Sequence, residues 1–393
     1  MTRKWTIACV ALWLAVGCVA WAADEPTKLP VWSQVDIQVY GRIKADASYD
    51  SGRVEPGDYV KWVTGENYHE TNLTANETRL GLNIKGPDIG SIKTSGKVEM
   101  DFYGNTGIGS NIGTVGDAEN KGKPMMRHAY MVFTFPNKWS LLAGQTSDIV
   151  SPLAPRTLSY TVLWYTGNIG YRRPQIRLTR EYNLCKDTYL KFDAGVSRTI
   201  GENTIDVESG ENSAAPTVQG RVGLTTPLIP KAKPATIGLS GSYGKEEYWL
   251  EEWVTWSFNV DVVVPLCAHT TLKGEYFTGE NLDAFLGGIG QGFNKYQMEG
   301  IGGQGGWMAA EVEAGKGWSL TGGFGVDDPD HGDLKGMAPT TTRDRNLCVF
   351  GNVIYAVTKN TKVGFELSQW RTDYLNGTAL DDTRGQLSFI YEF

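Results

Sequence analysis

From Val35 to Asp50 the chain alternates strictly with a period of two. Val35, Ile37, Val39, Gly41, Ile43, Ala45, Ala47 and Tyr49 fall on one side, and Asp36, Gln38, Tyr40, Arg42, Lys44, Asp46, Ser48 and Asp50 on the other. That period predicts an extended strand with one apolar and one polar face, longer than most strands of soluble proteins. The pattern recurs. Ile92, Val98, Met100 and Phe102 oppose Lys93, Lys97, Glu99 and Asp101, and Val254, Trp256, Phe258, Val260 and Val262 oppose Ser257, Asn259 and Asp261. Beyond residue 34 no apolar run is long enough for a spanning helix, and no helical period is sustained. The chain reads as all-β, with about sixteen strands between residues 35 and 393. In the segment 125–135 two registers compete: Met126, Tyr130 and Val132, or Ala129, Met131 and Phe133, form the apolar face.

Alternation alone fits a soluble sandwich as well as a membrane barrel, because an apolar face can meet a protein core or lipid. The spacing between strands separates the two. Long polar or glycine-rich joins at 50–73, 105–124, 147–170, 198–216, 279–305, 328–345 and 373–384, with a shorter one at 245–250, alternate with seven short turns. Examples of the turns are Gly86-Pro87-Asp88, Pro136-Asn137-Lys138 and Gly315-Lys316-Gly317. Long joins at one end and short turns at the other predict a transmembrane, up-and-down antiparallel β-barrel with short periplasmic turns and long extracellular loops. Sandwiches mix the two kinds of join. The last strand carries Leu387, Phe389, Tyr391 and a terminal Phe393, the pattern of a C-terminal strand read by outer-membrane assembly machinery. Trp139, Trp253, Trp318 and Tyr391 fit interfacial aromatic girdles, and the glycine-rich stretch 287–306 reads as a flexible external loop.

The N-terminus changes the compartment. Thr2-Arg3-Lys4, an apolar run from Trp5 to Val19 and Ala20-Trp21-Ala22 compose a secretory signal peptide over 1–22, followed by a short periplasmic segment, 23–34. A lipid-attachment reading at Cys18 is the rival. Hydrophobic content of 41% and mean hydropathy of −0.29 look soluble, but a barrel strand dilutes its lipid face with lumen-facing residues. Subtracting Arg3 and Lys4 from 37 basic residues leaves 35 against 44 acidic ones, a net charge of −9, which disfavours nucleic acid. Cys185, Cys267 and Cys348 remain after the leader, without CxxC or Cys/His spacing; they predict neither a disulfide framework nor a metal site and fit small residues at strand ends.

Several segments resemble the DcaP-like branch of Gram-negative trimeric porins, in the family's order. They include Asn76-Glu77-Thr78-Arg79-Leu80-Gly81-Leu82, Gly96-Lys97-Val98-Glu99-Met100-Asp101-Phe102-Tyr103-Gly104, Arg127-His128-Ala129-Tyr130, Leu142-Ala143-Gly144-Gln145-Thr146, Arg173-Pro174-Gln175-Ile176-Arg177 and Gly351-Asn352-Val353-Ile354-Tyr355. The resemblance implies a 16-stranded barrel in the outer membrane, a homotrimer, and passage of small hydrophilic, often anionic, solutes. The family's N-terminal coiled-coil extension has no counterpart in Ala23–Gln34, which is short and holds two prolines.

A pore sorts solutes by width and wall charge. The join 147–170, with Asp148, Pro152, Pro155, Arg156, Tyr160, Trp164 and Tyr165, is the candidate loop folded into the lumen. Arg42, Lys44, Arg79, Lys97, Arg127, Arg156, Arg173, Gln175 and Arg177 are the candidate pore-lining residues, because guanidinium groups stay charged and grip carboxylates in a fork. The alternative for Arg173 and Arg177 is pairing with Glu99, Asp101 or Asp193. No GxSxG, HExxH or similar motif points to catalysis, and no cofactor is implied. An outer-membrane barrel enzyme and a plugged receptor or adhesin are the competing functions.

Overall fold

The computed structural model describes residues 35–104, 122–201, 209–248 and 251–393; the expected signal peptide at 1–22 and the expected periplasmic segment 23–34 lie outside the described residues. Sixteen strands form one closed antiparallel sheet. They are β1 Asp36–Asp50, β2 in two pieces (Glu70–Thr74 and Arg79–Lys85), β3 Lys93–Asp101, β4 Met125–Thr134, β5 Trp139–Ser147, β6 Arg172–Cys185, β7 Thr188–Ser197 and β8 Thr217–Thr226. Next come β9 Ala235–Tyr248, β10 Glu251–Cys267, β11 Thr270–Glu280, β12 Gly302–Gly315, β13 Trp318–Pro329, β14 Arg343–Ala356, β15 Thr361–Tyr374 and β16 Ala379–Glu392. Each strand pairs with the next. The ring closes where β1 meets β16, with Ala45 opposite Phe389 and Ala47 opposite Leu387. The expected up-and-down barrel, with its short turns and long loops, is what the chain forms.

The two faces are distributed in reverse of a water-soluble protein. Ile43, Ile176, Phe258, Phe324, Leu367 and Phe389 are exposed, while Lys44, Asp46, Asp50, Glu99, Asp101, Asp193 and Asp261 are buried. Apolar side chains thus cover the outside and charged ones the inside. This is the arrangement that lipid outside and a polar lumen select, and it removes the sandwich alternative. The competing registers of 125–135 are settled by a bulge: Glu99 stands opposite His128 and Met100 opposite Met126, leaving Arg127 as the extra residue. Met126 faces out before the bulge; Ala129 and Met131 share the outward side with Val98 after it. Each register is right on one side of Arg127.

Several joins differ from the sequence expectation. The loop at 245–250 is mostly strand, because β9 and β10 run on to within two residues of each other. The join 50–73 holds a hairpin, Arg53–Pro56 with Val60–Gly65, whose Val54, Val60 and Val63 are buried with Leu163, Cys348 and Trp370. Cys348 is therefore an inward mid-strand residue, whereas Cys185 and Cys267 are exposed at strand ends. The stretch after β11 is no external loop over its first half. Leu282, Phe285, Leu286, Ile289 and Phe293 are all buried, and Trp253 leaves the girdle to stack on Phe293 at 4.1 Å. Apolar side chains in these two joins gain more by packing together inside the barrel than by lying in water. No helix among the described residues is long and apolar enough to cross a membrane.

Candidate functional site

The join between β5 and β6 crosses the barrel interior and touches inward residues on most of the wall. Ile149 N donates to Gln219 Oε1 at 2.8 Å, Ser151 Oγ to Asn259 Oδ1 at 3.3 Å, and Leu153 N to Glu275 Oε1 at 2.8 Å. Arg156 then reaches Glu311 at 3.2 Å and Glu313 at 2.6 Å on β12. Leu158 is held at both ends of its backbone. Its N–H donates to Glu366 Oε2 at 2.7 Å, and its carbonyl accepts from Lys44 Nζ at 2.6 Å and Gln386 Nε2 at 2.9 Å. Ser159 N donates to Glu366 Oε1 at 3.1 Å, and Tyr160 OH to Asp101 Oδ2 at 3.2 Å. Burial pushes the Tyr160 phenol above its ordinary range, so it remains a donor to Asp101.

Glycines let this loop approach. A Cβ on Gly325 would lie 2.1 Å from the Thr166 carbonyl, and one on Gly364 would lie 2.9 Å from a Leu158 methyl. The returning segment leans on the join after β11: Tyr165 N donates to Leu286 O at 2.9 Å and Gly170 N to Phe285 O at 2.7 Å.

Eight of the nine candidate residues bond to this loop or its root or line a cavity beside it, Lys97 touches only the wall, and most carry a counter-charge. The break in β2 turns Glu77 inward, where it pairs with Arg42 and Lys44 and lies 3.4 Å from Arg79. Lys44 also stands 3.3 Å from Asp46. Arg127, freed from the ladder by its bulge, bridges Glu99 at 2.7 Å and Asp101 at 2.8 Å. Lys97 lies 3.7 Å from Glu99 and 4.9 Å from the Tyr40 ring. Arg156 is tied to β12 as described. Arg173 is only 1% exposed, paired with Asp148 of the loop at 2.8 Å and donating to Ala284 O at 3.0 Å, so it fastens two loops to the wall rather than facing open lumen. Its carboxylate is Asp148, none of the three named from the sequence. Gln175 binds the Thr146 and Ser147 carbonyls, each at 3.0 Å, and accepts from Arg177 Nη2 at 2.8 Å. Arg177 makes its remaining contact with Ser147 O at 2.5 Å and forms no ion pair with any described carboxylate.

One residue that the sequence did not single out completes the set. Arg172 is 7% exposed, and its Nε and Nη2 meet no acceptor among the described residues. Its guanidinium carbon lies 5.5 Å from the Trp164 ring centre and 4.9 Å from that of Tyr171. With Arg79, Arg127, Asp148, Tyr160 and Trp164 it lines a cavity of about 260 Å³ between the loop and the wall. Strict alternation would turn Arg172 outward, but as the first residue of β6 it instead follows the loop's aromatic residues inward. On the turn side of the loop lies a second cavity of about 560 Å³, lined by Arg42, Lys44, Glu77, Arg156, Lys362 and Glu392. Such a wall can hold and pass small charged solutes by direct electrostatic contact. Among the described residues no group of His, Cys, Asp and Glu side chains is arranged to hold a metal.

No known family profile matches the chain, and no curated protein does. Solved structures do. The outer-membrane channel DcaP of Acinetobacter baumannii superposes with a TM-score of 0.73 at 19% identity, over 91% of this chain and 97% of that one. An anion-selective porin from Comamonas acidovorans gives 0.56 at 12% identity, over 91% and 100%. OmpF of Salmonella typhi, in complex with daunomycin, gives 0.56 at 13% identity, over 92% and 98%. The chain has the sixteen-stranded antiparallel β-barrel fold of the DcaP channel and of these porins.

Proposed function

We propose that this chain is an outer-membrane porin, exported by a signal peptide over 1–22 and assembled as a homotrimer. It passes small hydrophilic solutes by diffusion and favours anions such as carboxylates. The constriction is the crossing of the loop Asp148–Tyr171 against β1–β6, where Arg42, Lys44, Arg79, Lys97, Arg127, Arg156, Arg173, Gln175 and Arg177 line or brace the path. The observation that carries the anion preference is Arg172, a buried guanidinium without an acceptor in a cavity that Arg79 and Arg127 share. A buried cation without a partner is costly, so the site favours a solute that brings the negative charge.

The test is a reversal potential in planar bilayers under a salt gradient. Wild type gives anion selectivity. An anion about 4 Å from the Arg172 guanidinium gains roughly 1 kcal/mol in water-like surroundings and about 4 kcal/mol in a protein-like medium. Arg172→Gln therefore lowers the anion-to-cation permeability ratio by about fivefold or more. Cation selectivity of the wild type overturns the reading.

The inward joins 52–66 and 281–301 favour a second reading, a plugged receptor, because their apolar residues fill part of the interior with the loop. Steady single-channel steps decide for the porin; their absence decides for the plug.

A further inference from the structure

On the outer surface, at the turn end of the barrel, one arginine stands where lipid should be. Arg180 pairs across the sheet with Trp139 on one side and Phe192 on the other. Both neighbours, with Leu178 and Leu190, line an outward groove of about 600 Å³ that also takes in Arg180. Leu178 and Phe192 are each 42% exposed, so this surface faces away from the lumen. A charged side chain on the lipid face is tolerated only near the interface, and there it draws a counter-charge.

The described residues supply none. Arg180 donates from Nη1 to Asn137 O, its Nε is buried without an acceptor, and no ion pair joins it to a described carboxylate. The outward arginines at the opposite rim behave differently: Arg345 lies 2.6 Å and Arg371 2.9 Å from Asp373. Two aromatic rings flank the Arg180 guanidinium, Trp139 at 5.2 Å and Tyr182 at 4.8 Å, which is the interfacial pairing of rings with a cation.

We propose that this groove binds one phospholipid of the periplasmic leaflet. Its phosphate takes the free edge of the Arg180 guanidinium, Trp139 and Tyr182 stand at the level of the glycerol, and an acyl tail lies along Leu178, Leu190 and Phe192. The volume falls within the range of small-molecule sites. A guanidinium fork matches a phosphate diester, and an apolar floor beside it selects an amphiphile over a free anion. The inference rests on the outer-membrane placement but not on the anion preference of the pore.

The experiment is native mass spectrometry of the full mature chain, delipidated in detergent and titrated with phosphatidylglycerol. Folding of every variant is checked by heat-modifiable gel mobility. Wild type retains one lipid per protomer; Arg180→Gln loses about fivefold or more of that occupancy, and Arg180→Lys restores part of it. Arg371→Gln at the other rim leaves occupancy unchanged, as does a large excess of inorganic phosphate. Single-channel conductance of Arg180→Gln equals wild type, which separates failure of the lipid site from failure of the porin reading. Equal lipid retention by folded Arg180→Gln overturns the proposal. So does displacement of the lipid by inorganic phosphate, or a trimer that weakens in Arg180→Gln with no change in lipid, which would assign the groove to a neighbouring protomer.

Discussion

Glu366→Ala should loosen the loop that crosses the barrel interior and, on the proposed reading, widen the pore. The Glu366 carboxylate, 3% exposed, accepts from Leu158 N at 2.7 Å, Ser159 N at 3.1 Å and Asn352 Nδ2 at 2.9 Å. Hydrogen bonds to a charged group are worth about 1.5–3 kcal/mol each, so the two that reach the loop, from Leu158 and Ser159, bracket about 3–6 kcal/mol. Two effects reduce that figure. Removing the carboxylate removes the cost of burying it, and lumen water can reach the freed amides. A net loss of about 3 kcal/mol remains, a shift of roughly 150-fold in the ratio of docked to undocked loop. Lys44 and Gln386 still hold the Leu158 carbonyl, so the tip lifts in part rather than leaving the lumen. Planar-bilayer recordings should show a larger and noisier single-channel conductance, and trypsin should cut after Arg156 in folded variant barrels but not in wild type. Glu366→Gln, which keeps the volume and one acceptor, should fall between. A folded Glu366→Ala barrel with wild-type conductance and full resistance at Arg156 would refute the idea that this carboxylate holds the constriction.

Other substitutions probe the same arrangement. Asp148→Asn strips the counter-charge from Arg173, buried to 1% exposure; breaking such a pair costs about 3–5 kcal/mol, read as a lower urea midpoint of the folded barrel. Gly325→Val places a Cβ where the Thr166 carbonyl lies 2.1 Å away, so the loop must move; conductance changes while barrel assembly on a gel does not. Arg177→Gln, removing a half-buried cation without an ion pair, should lower the anion-to-cation ratio by about fivefold, from roughly 1 kcal/mol at 4 Å in water. Phe389→Arg puts a charge on the outward face of β16, 53% exposed, and should destabilise membrane insertion by about 2–4 kcal/mol, measured by equilibrium refolding into vesicles.

The barrel was legible because its signal is local. In a strand the faces alternate residue by residue, so Ile43 and Lys44 declare their sides without knowledge of any partner. Interruptions were less legible. The bulge at Arg127 and the break at Glu77 each depend on a carboxylate or cation on another strand, which spacing along one strand does not encode. The inward joins were missed for a related reason. Glycine-rich sequence fits a flexible external loop, and what draws these joins inward lies elsewhere in the chain: Val54, Val60 and Val63 are buried with Trp370, and Leu282 and Phe285 with Ile169. Arg172 was missed because alternation assigned it to the lipid face, and a strand's first residue answers to the loop before it.

On the proposed reading, the charges also explain why net charge is a poor guide to selectivity. The chain carries −7 overall, which taken alone would favour cations. Many of its inward carboxylates, however, are already engaged. Glu275 and Glu366 accept loop amides, Asp327 accepts from Ile289 N at 3.3 Å, and Asp148, Asp50 and Asp261 each hold an arginine. A carboxylate saturated by N–H donors projects little field into water, whereas a guanidinium without a partner projects its full charge across a low-dielectric wall. On the proposed reading, the acidic residues of β10–β15 keep the loop in place and leave Arg172 and Arg177 as the charges a passing solute meets. Selectivity then follows from which charges lack partners rather than from their sum, so neutralising Glu275 should disturb the loop before it alters the preference for anions.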